Sequence, residues 1–139
     1  MIDILTGVQS TAAALDAEQT RLNVISENIA NADTTHGPDG KPYRRQMVVF
    51  ESALQQAMNG QTVPTLRVAA IEKDLSPLQM IYDPGNPDAN AQGMVEMPNV
   101  NVQEEMADLI SASRTYEANL AVVHNARTLA DQTMAMDKH

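Results

Sequence analysis

The side chains able to do chemistry are few in this 139-residue chain, and badly spaced for it. Its three histidines, His36, His124 and His139, fall in a linker, a helix and the last position, with no spacing that would gather them on a metal. Without cysteine there is no thiolate nucleophile, no disulfide and no sulfur ligand. GPDGKP, Gly37 to Pro42, has two residues between its glycines where a phosphate loop needs four, and Pro42 where a hydroxyl must meet magnesium. Asn86, Asp88 and Asn90 alternate like calcium ligands, but Ala91 replaces the required glycine and Met97 the closing glutamate. No serine or threonine sits in an elbow motif or beside a local base. The sequence therefore predicts no catalytic, cofactor-binding or metal site, and reads its carboxylates as solvated faces.

What remains is polar groups in unexpected places. In ISENIANAD, Ile25 to Asp33, Asn28 and Asn31 share one helical face at the end of an apolar pattern. Asn is a mediocre helix former, so each needs a reason to be there. The surrounding composition limits the reasons. Net charge is −9, which repels phosphate backbones and speaks against nucleic acid. One Phe, three Tyr and no Trp leave Ala, Val, Ile, Leu and Met to pack the interior, which suits helix-on-helix contact better than a substrate pocket. MIDILTGVQS lacks the basic and apolar regions of a cleaved signal peptide, and no apolar run is long enough to insert in a membrane.

Three segments must position these residues. In residues 1–33, Leu5, Val8, Ala12, Leu15, Gln19, Leu22, Ser26 and Ile29 alternate three and four apart, with Ile25 widening the stripe; this is coiled-coil seam spacing. Residues 99–139 repeat it with Val102, Met106, Leu109, Ser113, Tyr116, Leu120 and Val123, opened by an Asn101–Glu104 capping pattern. The helices would be roughly 40 and 50 Å long. Residues 34–98 hold every proline and nearly every glycine, so they cannot continue either helix. There Met47–Phe50, TLRVAAIE and LQMIYD read as strands, DPGNPDANAQG as turns, and Val95–Val102 as extended. The fold expected is mainly α: long terminal helices paired as a coiled coil, forming one domain, with an extended β-hairpin and loop insert. Two helices alone leave apolar stripe uncovered, which predicts partners outside the chain.

Extended to Thr35, the asparagine stretch contains S-x-N-I-A-N-x-x-T-T, Ser26 to Thr35. It resembles the N-terminal signature of bacterial flagellar axial proteins, the rod, hook and hook-associated proteins. MPNVNVQEEMADLISASRTYEANL, Met97 to Leu120, resembles their C-terminal motif. PYRRQMVVF and YDPGNPDANAQGMVEMPNVN narrow the resemblance to the basal-body rod family, and to one of its short proximal subunits. It covers nearly the whole chain; residues 56–73 and the MAMDKH tail carry little of it.

The resemblance implies a non-enzymatic structural subunit of the periplasmic rod. Such subunits build a helical tube that transmits torque and encloses the export channel, and leave the cell by the flagellar type III apparatus without a cleaved signal. Expected partners are copies of itself and other rod proteins, with the basal-body ring or its rod adaptor as further candidates. The motif residues it implicates are Asn28, Asn31, Thr34, Tyr43, Arg44, Arg45, Asn99, Asn101, Glu105 and Arg114. By side-chain chemistry, Asn28 offers amide donors and acceptors to a neighbouring chain or to the C-terminal helix. Asn31 is a candidate left-handed helix stop. Arg44 and Arg45 read as charge contacts to a neighbour or as ordinary surface, and Arg114 pairs with Glu117 on its own helix. Rival readings are another short rod subunit and a soluble helical export adaptor or chaperone, which would not need the loop-rich middle.

Overall fold

In the computed structural model, residues 2–56, 60 and 62–136 are described, with backbone alone for residues 2–6. Two long helices bracket four strands. Helix α1 spans Ile2–Ala30 and helix α2 spans Val102–Met136. From Val8 to Ala30 no Gly or Pro interrupts α1, and it ends where Asn31 and the HGPDGKP turn begin. Asn101 starts α2: its Oδ1 accepts from Gln103 N at 3.1 Å and Glu104 N at 3.4 Å, and Glu104 and Glu105 occupy the positive end of the helix dipole.

Strands β1 (Gln46–Gln56) and β2 (Thr62–Lys73) form an antiparallel hairpin, with a bulge where the register shifts between Val49 and Phe50. A lone two-stranded hairpin is marginal in water. This one packs on α1 through both strands, and Ser10 Oγ donates to Pro64 O at 3.2 Å. It therefore runs back along α1, from Asn28 at its base toward the helix start. Strands β3 (Gln79–Tyr82) and β4 (Met94–Met97) make a second, smaller hairpin that, among the described residues, packs on neither helix nor on β1–β2. The insert is thus two hairpins, and strand makes up a substantial part of a chain that the sequence predicts as mainly α.

The helices pack against each other, and the buried face keeps only part of the predicted seam. On α1 the buried residues are Ala17, Glu18, Val24, Ile25 and Asn28. Val8, Leu15, Leu22 and Ile29 are half-buried, and the seam positions Ala12, Gln19 and Ser26 are exposed. Leu5 belongs to α1, but its side chain lies outside the described residues. On α2, Glu105 and Ala112 are fully buried, and Leu109, Tyr116, Asn119, Val123, Ala126 and Ala130 half-buried. These residues step by four and three: Leu109, Tyr116 and Val123 are predicted seam positions, whereas Glu105, Ala112 and Asn119 face inward in place of Met106, Ser113 and Leu120. Val102, Met106 and Leu120 stay 39%, 53% and 50% exposed. The reason is polar: Glu105, not Met106, must face α1, because it is hydrogen-bonded to Asn28 there. On α2 the inner face consequently alternates Leu109, Tyr116 and Val123 with small or polar residues, and Met106, Ile110 and Leu120 flank it.

Ala112 is the tightest point of this contact, at 0% exposure. Ala112→Leu should destabilise the chain by about 1–3 kcal/mol through overpacking, read as a lower urea midpoint with an unchanged slope.

Candidate functional site

The sequence motifs meet at one end of the helix pair. Three backbone features place them there. The end of α1 supplies Asn28 and Asn31; the segment entering β1 supplies Tyr43, Arg44 and Arg45; the approach to α2 supplies Asn99, Asn101 and Glu105.

Asn28 is 1% exposed and uses all its hydrogen-bonding capacity. Its Nδ2 donates to Gln46 O at 2.9 Å and to Glu105 Oε2 at 3.0 Å. Its Oδ1 accepts from Gln46 N at 2.9 Å and from Tyr43 OH at 2.8 Å. The pair of bonds to Gln46 treats the residue as a strand partner, so the amide side chain fastens the first residue of β1 to the helix. The bond to Glu105 reaches 77 positions along the chain. One amide therefore holds α1, β1 and α2 together.

Glu105 has no exposed surface. A carboxylate so placed costs several kcal/mol unless paired and hydrogen-bonded. Oε2 accepts from Asn28, and Oε1 accepts from Arg45 Nε in a charge-assisted bond. The same guanidinium lies 3.7 Å from Asp74 and 3.8 Å from Asp108. Burial works to lower the Arg45 pKa, but Glu105, by hydrogen bond and by charge, and then Asp74 and Asp108 outweigh it, so the pKa is raised and Arg45 stays cationic. Burial raises the Tyr43 pKa, and the nearby Glu27 and Glu105 charges raise it further.

A second layer fixes the loops. Asn99 Oδ1 accepts from Arg45 N at 2.8 Å, while its Nδ2 donates to the carbonyls of Asp74 and Ser76 at 3.0 and 3.2 Å. Arg44 donates to the same two carbonyls. Hydrogen bonds from the Ser76 hydroxyl and amide, with Arg45 and Arg44 nearby, hold the Asp74 pKa below its usual value. Asn31 Nδ2 caps Glu27 O at 2.9 Å, and Thr34 Oγ1 donates to Asn31 Oδ1 at 3.2 Å. Thr34 O in turn accepts from Tyr43 N at 3.0 Å.

Some expectations need correction. Asn31 stops α1 without a left-handed backbone; only glycines have positive φ among the described residues. It caps with its amide instead. Arg44 and Arg45 are engaged inside the chain rather than held free for a neighbour. Arg114 is exposed, stands apart from the junction, and its pair with Glu117 is not among the ion pairs of the described residues. Asn86 and Asn90 build turns, accepting from Asp88 N, Gln92 N and Met94 N. His36 sits 3.4 Å from Asp88, His124 is exposed, and His139 lies outside the described residues. Sequence reasoning missed Asp74 and Gln46. Asp74 lies just beyond the stretch with least motif character, and Gln46 contributes only backbone.

No metal-ligating group of three or more His, Cys, Asp or Glu occurs among the described residues. The arrangement aims no nucleophile and no acid–base pair at open space; its polar groups face one another. Its chemistry is that of a fastener.

Comparison with known proteins agrees with this reading. Residues 9–38 match a family model described as "Flagella basal body rod protein", and residues 91–136 match "Flagellar basal body rod FlgEFG protein C-terminal". The chain is similar to the flagellar basal-body rod protein FlgC of Yersinia enterocolitica, 47% identical over 124 residues, covering 89% of this chain and 90% of that one. It is 40% identical to the protein of the same name from Borreliella burgdorferi, over 96% of this chain and 97% of that one. With the Bacillus subtilis protein of that name the identity is 37%, over 92% and 94%.

Tyr43 carries a pH signature. Its folded pKa is raised, so the stability it contributes is fully present below the ordinary phenol value near ~10 and is lost as pH rises through the higher folded value. In a spectroscopic titration of phenolate, Tyr43 should ionise later than a free phenol. Tyr43→Phe should abolish that late step, and should cost about 1 kcal/mol at neutral pH for the lost hydrogen bond.

Proposed function

We propose a function from one premise: the chain belongs to the FlgC family of flagellar basal-body rod proteins. It is a structural subunit of the proximal rod and not an enzyme. The mode of assembly is our reading. Copies of this chain and other rod proteins pack their terminal helices side by side as a coiled-coil wall, α1 and α2 of each acting as one domain. The wall closes into a helical tube that crosses the periplasm, transmits torque and encloses the export channel. Subunits reach it through the flagellar type III apparatus, without a cleaved signal peptide, and the basal-body ring or its adaptor meets the outside of the tube.

One observation carries this reading. α2 leaves apolar side chains exposed on both flanks of its contact with α1. Val102, Met106, Ile110 and Leu120 lie on one flank by helical spacing, and Val122, Leu129 and Met136 on the other; each is between 39% and 73% exposed. A helix needing cover on one side suits a dimer or an adaptor. A helix needing cover on both sides suits a lattice in which every subunit has neighbours left and right. No helix among the described residues is long and apolar enough to cross a membrane. The β1–β2 hairpin, fastened by the polar junction, packs along α1 and, among the described residues, not on α2, which leaves both flanks of α2 clear.

Met106→Asp and Leu129→Asp test both flanks. Each residue is more than half exposed, so the isolated chain should keep its melting temperature within a few degrees. Neither variant should sediment with purified, salt-washed basal bodies, and cells relying on either should lose motility. Normal incorporation of the Leu129→Asp protein would contradict two-sided packing.

A further inference from the structure

Charge is divided sharply along the insert. Residues 41–73 carry the cations Lys41, Arg44, Arg45, Arg67 and Lys73 against Glu51 and Glu72 alone. Residues 74–113 carry carboxylates and no Lys, Arg or His. Two of the cations are engaged by acids of their own chain, Arg45 by Glu105, Asp74 and Asp108, and Arg67 by Glu51. Lys41 and Lys73 have no ion-pair partner among the described residues, and Arg44 donates to the carbonyls of Asp74 and Ser76. Lys41, Arg44 and Lys73 line one cleft of about 330 Å³, together with the rings of Pro38, Pro42 and Tyr43. Asp39 is the one carboxylate in that lining, and its Oδ1 accepts Lys41 N at 3.2 Å within its own turn. The cleft thus combines apolar rings with an excess of positive charge.

The acidic stretch displays the complement. All four residues of β3 are exposed. Met80, 47% exposed, and Tyr82, 69% exposed, share one face of the hairpin, where Met80 pairs with Glu96 and Tyr82 with Met94. Asp83 follows at the end of the strand; it is exposed, and its Oδ1 accepts the turn amide of Gly85 at 3.3 Å. Neither Asp83 nor the exposed Glu96 has an ion-pair partner among the described residues. One surface of the chain is therefore apolar with unpaired cations, and another is apolar with unpaired carboxylates. Each offers what the other lacks.

We propose that the Met80–Tyr82 face of β3–β4 on one copy of this chain seats in the Lys41–Arg44–Lys73 cleft of the next copy. Charge selects the occupant. Copies with a net charge of −9 repel one another, and setting the acidic stretch of one against the basic stretch of the next brings opposite signs together where they touch. An anionic lipid surface would satisfy the cations but leave Met80 and Tyr82 uncovered. The two surfaces differ, so the contact is head-to-tail: each copy gives one and receives one. Such a contact repeats into a ring or a helix rather than closing as a pair. The proposal rests on the rod reading and deepens it, adding a contact between copies that lies outside the helices.

The test is photo-crosslinking in flagellated cells, with benzoylphenylalanine in place of Tyr82 in the full chain and, in parallel, in place of Met106 on α2. The expected adduct at position 82 joins a second copy of the chain within residues 37–46 or at residue 73. Its yield should fall at least several-fold with Lys41→Glu and Lys73→Glu. Adding Asp83→Lys and Glu96→Lys to the same chain should restore it. All four positions are exposed, so the isolated variants should keep their melting temperatures within a few degrees. An adduct at 82 to a different protein, to lipid or to another part of a second copy overturns the proposal. So does a yield that ignores the charge reversal or that the four-fold swap does not restore. An adduct at 106 with none at 82 overturns it while leaving the helix packing intact. The expected adduct at 82 with none at 106 supports the contact and counts against the packing. None at either position overturns both.

Discussion

A carboxylate with no water is the constraint around which this molecule is arranged. Glu105 is completely buried one turn into α2, and an unpaired charge there would unfold a chain of this size. The Arg45 guanidinium and the Asn28 amide remove the problem together, one by charge and one by hydrogen bond. Each partner comes from a different part of the sequence. Satisfying one group therefore requires the end of α1, the entry to β1 and the start of α2 to coincide. That requirement supplies specificity that an interface of alanines and half-buried aliphatics lacks. The price is a junction that tolerates little change, since removing any member strands the others.

This lock also explains how the helices present themselves. Turning Glu105 toward α1 rotates α2 so that small residues such as Ala112 and Ala126 lie between the helices, and Met106, Ile110 and Leu120 do not. The isolated chain thus forgoes the burial its larger side chains would provide. Those side chains remain on the flanks of α2, available to neighbours. Intrachain stability rests on a compact polar junction at one end, and in the proposed assembly the apolar stripes along the length are left for intersubunit contact. A subunit that must persist as a folded unit yet join others on several sides needs that division.

Much of this was legible in the sequence, for identifiable reasons. The helices followed from three-and-four spacing, and the insert from where proline and glycine fall. Asn28 drew attention because an amide is out of place in a buried stripe, and its reach to the C-terminal helix was among the roles open to it. What spacing could not supply was the phase of α2. Met106 and Glu105 are adjacent, and hydropathy alone puts Met106 inward; only the partnership with Asn28 and Arg45, 77 and 60 positions away, reverses the choice. Arg44 and Arg45 looked like surface charge for the same reason, since their acceptors are backbone carbonyls and acids from distant segments.

The most direct test is a double-mutant cycle on Asn28 and Glu105, with Asn28→Ala, Glu105→Ala and the double variant unfolded in urea. If the junction is one satisfied network, the two losses overlap. The coupling energy between them should then be about 1–3 kcal/mol. Losses that add to within about 0.5 kcal/mol would mean that the two residues act independently, and would contradict the claim that this polar junction sets the register of the fold.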